Sequence, residues 1–466
     1  MLQDAAGTDC CGTQQILNIL MPIISIIIVL IALAALLGVS ALMVNKGKIC
    51  GESARKLVHV GMGLICLTFP WLFQKSFPVL ALAGIAVVSI LLMRLTKLRS
   101  SLGASLFSVK RISVGELIFP IAVAWLFSLN LANDKNSAIY YTIPLLLLTL
   151  ADTVGAIAGT KFGKQIYVTA SGRKSVEGSL AFLVTAFLCT FLPLLIFTDY
   201  ELHHLSFIAL TVALFITAVE GISGMGMDNL LIPIGSYFLL DYYTGMSTQS
   251  LWIRVVCMVF LMLLLLWTRH KHSLNGGAVL TAVILCFVSF MLGGPYCLSA
   301  CLLIFTRHLL AIQKIPVEQK HKHSIDTILA ISVPAITWLT LGENSIITEN
   351  MSRTFFILSL AITIALLHAG THKFLTQSSS ITASCLLKSS GMSAIVTGLC
   401  YPLLPTSSFA FIFIATVVFS AVLAGIFYRL RSSGVPTLND WITLCILTGI
   451  STTILFYSHA YYYSSV

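Results

Sequence analysis

ILNILMPIISIIIVLIALAALLGVSALMV, residues 16 to 44, carries no charge and is longer than the roughly 20 apolar residues a helix needs to cross hydrocarbon. Comparable runs recur at 77–93, 178–198, 251–268, 274–292 and 408–428. The same criterion gives about sixteen candidate spans in all, with those at 59–73 and 390–404 the weakest. A mean hydropathy of +0.97 and 9% charged residues over 466 positions exclude a soluble globule. The chain is therefore expected to be an all-α, polytopic integral membrane protein of roughly 14 to 16 spans with its N-terminus outside. The preceding MLQDAAGTDCCGTQQ has acids and no base, so the first run reads as a span and not as an export signal or transit peptide.

Alternating the chain through sixteen spans leaves only Lys75, Lys135, Arg254 and Arg353 of the 27 Lys and Arg on one face. The other face is then cytoplasmic by the positive-inside rule. On this reading the net charge of +10 belongs to loops facing anionic headgroups or nucleotide. Nucleic acid is not expected as a partner, because no soluble basic surface exists. The 12 Cys show no metal-type spacing, and most sit in apolar segments as small hydrophobes. The vicinal Cys10 and Cys11 leave lipidation or no role open.

Charge is expensive near a membrane, so carboxylates there are functional candidates. Up to residue 270, those on the basic face are Glu52, Glu116, Asp152, Glu177, Glu220 and Asp228. They fall in four patterns. In ESARKLVH, 52–59, the residues Glu52, Arg55, Lys56 and His59 share one helix face, and a salt-bridged helix start is the plainer reading. In VKRISVGELIFPIAVAW, 109–125, Glu116 lies just inside its span after Arg111, with which it could form a structural ion pair.

The third pattern is ADTVGAIAGTKFGKQIYVTASGRKSVEGS, 151–179, a polar island. Asp152 is followed by Gly155, Ala156 and Gly159, a small-residue seam that admits a neighbouring helix. Lys161, Lys164, Arg173 and Lys174 come next, and Ser175 to Ser179 open the following helix with Glu177 in its first turn. The amides of that helix start, together with Lys174, are expected to cradle phosphate. No Walker A loop is present and no sheet is expected. The fourth pattern, AVEGISGMGMDNLLIPIGSYFLL at 218–240, sets Glu220 and Asp228 with Asn229 on either side of a glycine-rich break.

ESARKLVH, KRISVGELIFPIAV, ADTVGAIAGTKFGK, GRKSVEGSLAF and the stretch 220–233, in this order, resemble the polyprenol kinase family: dolichol, phytol and farnesol kinases and the CTP-dependent diacylglycerol kinase. That family shares its DxxAxxxG and KSxEGS patterns with membrane cytidylyltransferases that make CDP-diacylglycerol. The resemblance covers about residues 50 to 240, with Gly155 standing where Ala is usual. It implies phosphoryl transfer from CTP to the hydroxyl of an isoprenoid alcohol. Positioning and charge neutralisation are what that reaction asks of a protein. Mg²⁺ would be held by Asp152 and Asp228 with Glu177 nearby. Arg173 and Lys174 would clamp the phosphates, in a nucleotide site with Lys161, Lys164, Ser175 and Glu177. Glu52 or His59 would take or orient the alcohol proton, and Glu116 and Asp152 complete the catalytic set. Arg55, Lys56 and Arg111 would face the lipid headgroup or product phosphate.

These resemblances divide the chain into a first segment with its span (1–48), a kinase-like membrane domain (49–270) and a second membrane domain (271–466). KHSLNGGAVLTAVILCFVSFMLGG, 271–294, and VPTLNDWITLCILTGI, 435–450, look like the phytyl-phosphate kinase family. Where that family carries intramembrane acids, ALLHAGTHKF at 365–374 has His368, His372 and Lys373 and no carboxylate, so the second domain is expected to lack a metal site. A CDP-lipid-forming cytidylyltransferase is the competing enzymatic reading. A transporter ranks below both, because no inverted repeat is evident and the acids sit at span ends. The enzyme is expected in a plasma, inner or endomembrane with its site on the cytoplasmic face.

Overall fold

The computed structural model describes residues 4–95, 114–133, 138–169, 172–268, 271–315 and 322–464. It divides into two compact units, Met1–Val255 and Val256–Val466. The division expected at 270 thus falls earlier, inside a helix. Composition could not mark it, since a spanning helix reads alike on both sides of the point.

The first unit runs α1 (Asp4–Asn45), α2 (Gly51–Leu67), the short α3 (Phe69–Leu72), α4 (Ser76–Leu95), α5 (Gly115–Ala132), α6 (Ile139–Leu146), a π-helical turn (Leu147–Ala151) and α7 (Asp152–Phe162). A hairpin of β1 (Ile166–Thr169) and β2 (Gly172–Ser175) follows, then α8 (Val176–Phe197), α9 (Leu202–Ile222), α10 (Asp228–Tyr243) and α11 (Thr248–Trp267), the last shared with the second unit. Buried side chains concentrate on α6, the π turn and α9, which form the centre of this unit. Tyr141 donates its hydroxyl to the Cys66 carbonyl (2.8 Å), fastening α6 to α2.

The second unit contains α12 (Gly276–Ile312), α13 (Ile325–Glu343), α14 (Glu349–Thr376), α15 (Ala383–Thr397), a 3₁₀ stretch (Gly398–Leu403), α16 (Thr406–Leu430) and α17 (Leu438–Ser464). α14 is buried along most of its length, as expected of a helix apolar all round, and α12, α13, α15, α16 and α17 pack about it. Side-chain caps start several of these helices: Asn275 takes the Ala278 amide at 2.8 Å, and Thr382 takes that of Cys385 at 3.2 Å.

By length and composition, 13 described segments can cross a membrane. Gly294, at φ +73°, breaks α12 just before Pro295, and the chain doubles back so that Ser273 Oγ lies 3.3 Å from His308 Nε2. α12 is therefore two spans. α2 and α10, at 17 and 16 residues, fall just short of the length criterion. Counting these accounts for the sixteen runs of the sequence.

Candidate active site

Asp152 opens α7 directly after the π turn, and three helices meet there. Pro144 removes a helix donor one turn earlier, and the wide turn Leu147–Ala151 then delivers the Asp152 amide to the Leu147 carbonyl. His59, on α2, places Nε2 at 3.0 Å from the Leu148 carbonyl oxygen and 3.9 Å from Asp152 Oδ2. The edge of its ring meets Phe119 of α5, with centroids 5.3 Å apart.

The small-residue seam brings α7 against α8. A Cβ at Gly178 would stand 2.9 Å from Gly159 Cα and 3.0 Å from the Gly155 carbonyl, so backbone meets backbone. Between the two helices the island forms an antiparallel hairpin, pairing Tyr167 with Lys174 and Val168 with Arg173. The sequence reading expected a loop here. The β-branched and aromatic IYVT is the signal for a strand, and Gly172, at φ +123°, makes the reversal. Tyr167 donates to or accepts from Ser179 Oγ at 2.7 Å, and burial raises its phenol pKa while that bond lowers it.

The hairpin engages part of the expected phosphate cradle. Ser175 Oγ accepts the Gly178 amide (3.1 Å) and the Val176 amide goes to the Gln165 carbonyl (2.9 Å), so these donors are spent on capping. Glu177 accepts the Gln165 amide on both oxygens (3.1 and 3.3 Å) and so clasps the hairpin. Lys174 crosses to α9, where Nζ meets Glu220 Oε1 at 2.6 Å and also the Glu220 carbonyl. Lys161, Lys164 and Arg173 are exposed.

The second and fourth patterns are tied to one another. Val114 N donates to the Met225 carbonyl (3.0 Å), and Asn229 Nδ2 donates to the Gly115 carbonyl (2.9 Å). The glycine-rich break thus seats the start of α5 beside Asp228. Glu116 pairs with Arg94 at the end of α4 (2.7 Å). Arg111, the partner suggested by proximity in sequence, lies outside the described residues, as does the side chain of Glu52 in the first turn of α2. Arg55 and Lys56 are half-buried on α2.

Asp228, Glu220, Lys174 and Arg55 lie within electrostatic reach of Asp152, and Asp228 and Arg55 within that of His59. The structure therefore gathers Asp152, Asp228, Lys174, Arg55 and His59 from the sequence-derived set and adds Glu220. Sequence reasoning had noted that carboxylate but given it no role. Among the described residues, no three His, Cys, Asp or Glu side chains form a closed metal cage. Asp152 and Asp228 still offer the one or two hard oxygen donors that Mg²⁺ takes from a protein when phosphates and water supply the rest. Two carboxylates flanked by an ion-paired lysine and an arginine suit a site that manages the charge of a polyphosphate.

In the second unit a cavity of about 190 Å³ is lined mainly by Leu, Ile and Phe, with Arg307, His308 and Asp440 among its polar residues. Asp440 accepts the amides and hydroxyls of Ser432 and Thr437 at 2.8 to 3.1 Å and is fully committed to capping α17. Lys373 donates to the Tyr428 and Arg431 carbonyls at 2.6 and 2.5 Å.

Comparison with known proteins places the first unit. Residues 12–225 match the model of the cytidylyltransferase family. The phytol kinase of Synechocystis sp. is 33% identical over 194 residues, covering 40% of this chain and 76% of the relative. The chain belongs to the polyprenol and phytol kinase family. The family model ends at residue 225, before the second unit begins. No solved structure matches the chain. Within the family match lie all four polar patterns up to Glu220, and the cluster around Asp152 is where they converge.

Proposed function

We propose that the first unit is a CTP-dependent kinase that phosphorylates the hydroxyl of an isoprenoid alcohol at the cytoplasmic membrane face. The observation that carries this reading is the convergence of Asp152, Asp228, Glu220, Lys174 and Arg55 in a chain that aligns with a phytol kinase. In the reaction the alcohol oxygen attacks the γ-phosphorus, the bond from that phosphorus to the β,γ-bridging oxygen breaks, and CDP leaves. The alcohol proton passes to a base, for which Glu52 is the candidate. Mg²⁺ held by Asp152 and Asp228 would neutralise phosphate oxygens.

Lys174 has two roles in this scheme. Its bond to Glu220 holds the ammonium in place before nucleotide arrives, and the phosphates then share that charge. Arg55, one turn before His59 on α2, would meet the lipid headgroup or product phosphate together with Lys56. Exposed Lys161, Lys164 and Arg173 attract the nucleotide from solution. The second unit would resemble the phytyl-phosphate kinase family in fold and lack its metal-binding carboxylates, as ALLHAGTHKF at 365–374 suggests.

The match to the cytidylyltransferase family favours one further reading, a CDP-lipid synthase acting on a phosphorylated lipid. Purified protein with α- and γ-labelled CTP separates the two. CDP and a labelled lipid phosphate support the kinase, whereas pyrophosphate and a CDP-lipid support the synthase. A panel of phytol, farnesol, dolichol and diacylglycerol, each with CTP and with ATP, assigns acceptor and donor.

A further inference from the structure

We infer that His59 is a positioning residue, which secures the π turn Leu147–Ala151 through the Leu148 carbonyl and thereby sets the direction of Asp152. A carbonyl oxygen only accepts, so the 3.0 Å contact puts a hydrogen on His59 Nε2. The same nitrogen is the one 3.9 Å from Asp152 Oδ2. The corner of the ring that meets the site is thus a donor already in use, and it cannot collect the proton of an alcohol.

The turn needs such a clamp. A π turn holds one residue more than an α turn and loosens its carbonyls. Here Thr153 Oγ1 serves the Thr149 carbonyl from within the helix (2.8 Å), and His59 serves Leu148 from outside it. One turn further along α2, Gly63 brings bare backbone against the turn. A Cβ at Gly63 would fall 2.1 Å from Thr149 Oγ1, and that hydroxyl is buried without a hydrogen-bond partner.

The extra residue reconciles two fixed faces. Upstream, buried Tyr140, Tyr141 and Leu145 fix α6 in the core, with Tyr141 bonded to α2. Downstream, Gly155 and Gly159 must face α8. Relaxing the turn to α geometry would rotate one face against the other by about 100°, one residue's worth of helix, and carry Asp152 away from Asp228 and Lys174. His59 sits where that rotation begins, and its edge contact with Phe119 fixes the ring.

The activity arm of the test rests on the kinase function proposed above; the structural arm does not. The variants are His59→Gln, whose amide N–H can replace the Nε2 donor but cannot act as a base, and His59→Ala, which has no donor. In the full-length protein in nanodiscs, hydrogen exchange of the amides at 147–153 should be unchanged in His59→Gln and clearly faster in His59→Ala. With farnesol and CTP, His59→Gln should keep kcat within about tenfold and retain the acid limb of the wild-type pH profile. His59→Ala should lose about a hundredfold in kcat, the cost of misplacing a catalytic group by about 1 Å, with little change in the KM for farnesol. A general base would cost about 10²- to 10⁴-fold in both variants and remove the acid limb from both, which would overturn the inference. Equal exchange at 147–153 in wild type and His59→Ala would overturn it as well. Wild type without turnover of phytol, farnesol, dolichol or diacylglycerol, but with the expected exchange pattern, would remove the kinase reading and leave the positioning role intact.

Discussion

Lys174 is the residue on which the nucleotide half of the site depends. Its ammonium is held by the Glu220 carboxylate before any phosphate arrives, and both groups act on Asp152. Lys174→Met should therefore lower kcat/KM for CTP by about 10²- to 10³-fold, the usual cost of deleting one donor to developing charge, with the KM for the alcohol nearly unchanged. Steady-state kinetics with each substrate varied in turn will show it. Glu116 behaves differently, since its carboxylate is spent on Arg94 at 2.7 Å. Arg94→Met strands that carboxylate, and at this half-buried position a loss of about 1–3 kcal/mol is expected, read as a lower melting temperature in detergent. Glu116→Gln should cost less, because no charge is left behind. The carboxylates themselves were legible in the sequence because a charge near hydrocarbon stands out. Their partners were not: Arg94 and Glu220 belong to elements that only folding brings beside Glu116 and Lys174.

At the level of elements, the helices follow from the apolar runs, whereas the two irregular pieces that aim the site do not. The π turn at Leu147–Ala151 is a matter of register, set by the need to satisfy packing on both sides of it, and composition carries no trace of an inserted residue. The β-hairpin is only four residues per strand, and its polar Gly-Arg-Lys-Ser strand reads as loop when taken alone. The small-residue seam was legible, because glycines one turn apart in a spanning helix have few other uses. Gly178→Ala tests it. The new methyl meets the backbone of α7 at 2.9 Å from Gly159 Cα, so the helices must part. A loss of about 1–3 kcal/mol is expected by melting in detergent, with turnover falling further than stability because Asp152 and Ser175 lie at the two ends of that seam.

For the molecule as a whole, the account places all chemistry in the unit that ends at Val255 and none in the carboxylate-poor unit after it. Asp440 is the sharpest test of that division, being a buried acid at the cavity of the second unit with every oxygen engaged in capping. Asp440→Asn should cost about 1–2 kcal/mol of stability through lost capping, read as a lower melting temperature, and leave kcat unchanged. A collapse of kcat at unchanged stability would move chemistry into the second unit. The central claim is tested most directly by supplying purified protein with γ-labelled CTP, an isoprenoid alcohol and Mg²⁺, and following the label. The account predicts equal amounts of CDP and labelled prenyl phosphate from the wild type and neither from a folded, membrane-inserted Asp152→Ala variant. Full turnover in Asp152→Ala would contradict it, as would release of the label as pyrophosphate with formation of a CDP-lipid when a prenyl phosphate replaces the alcohol.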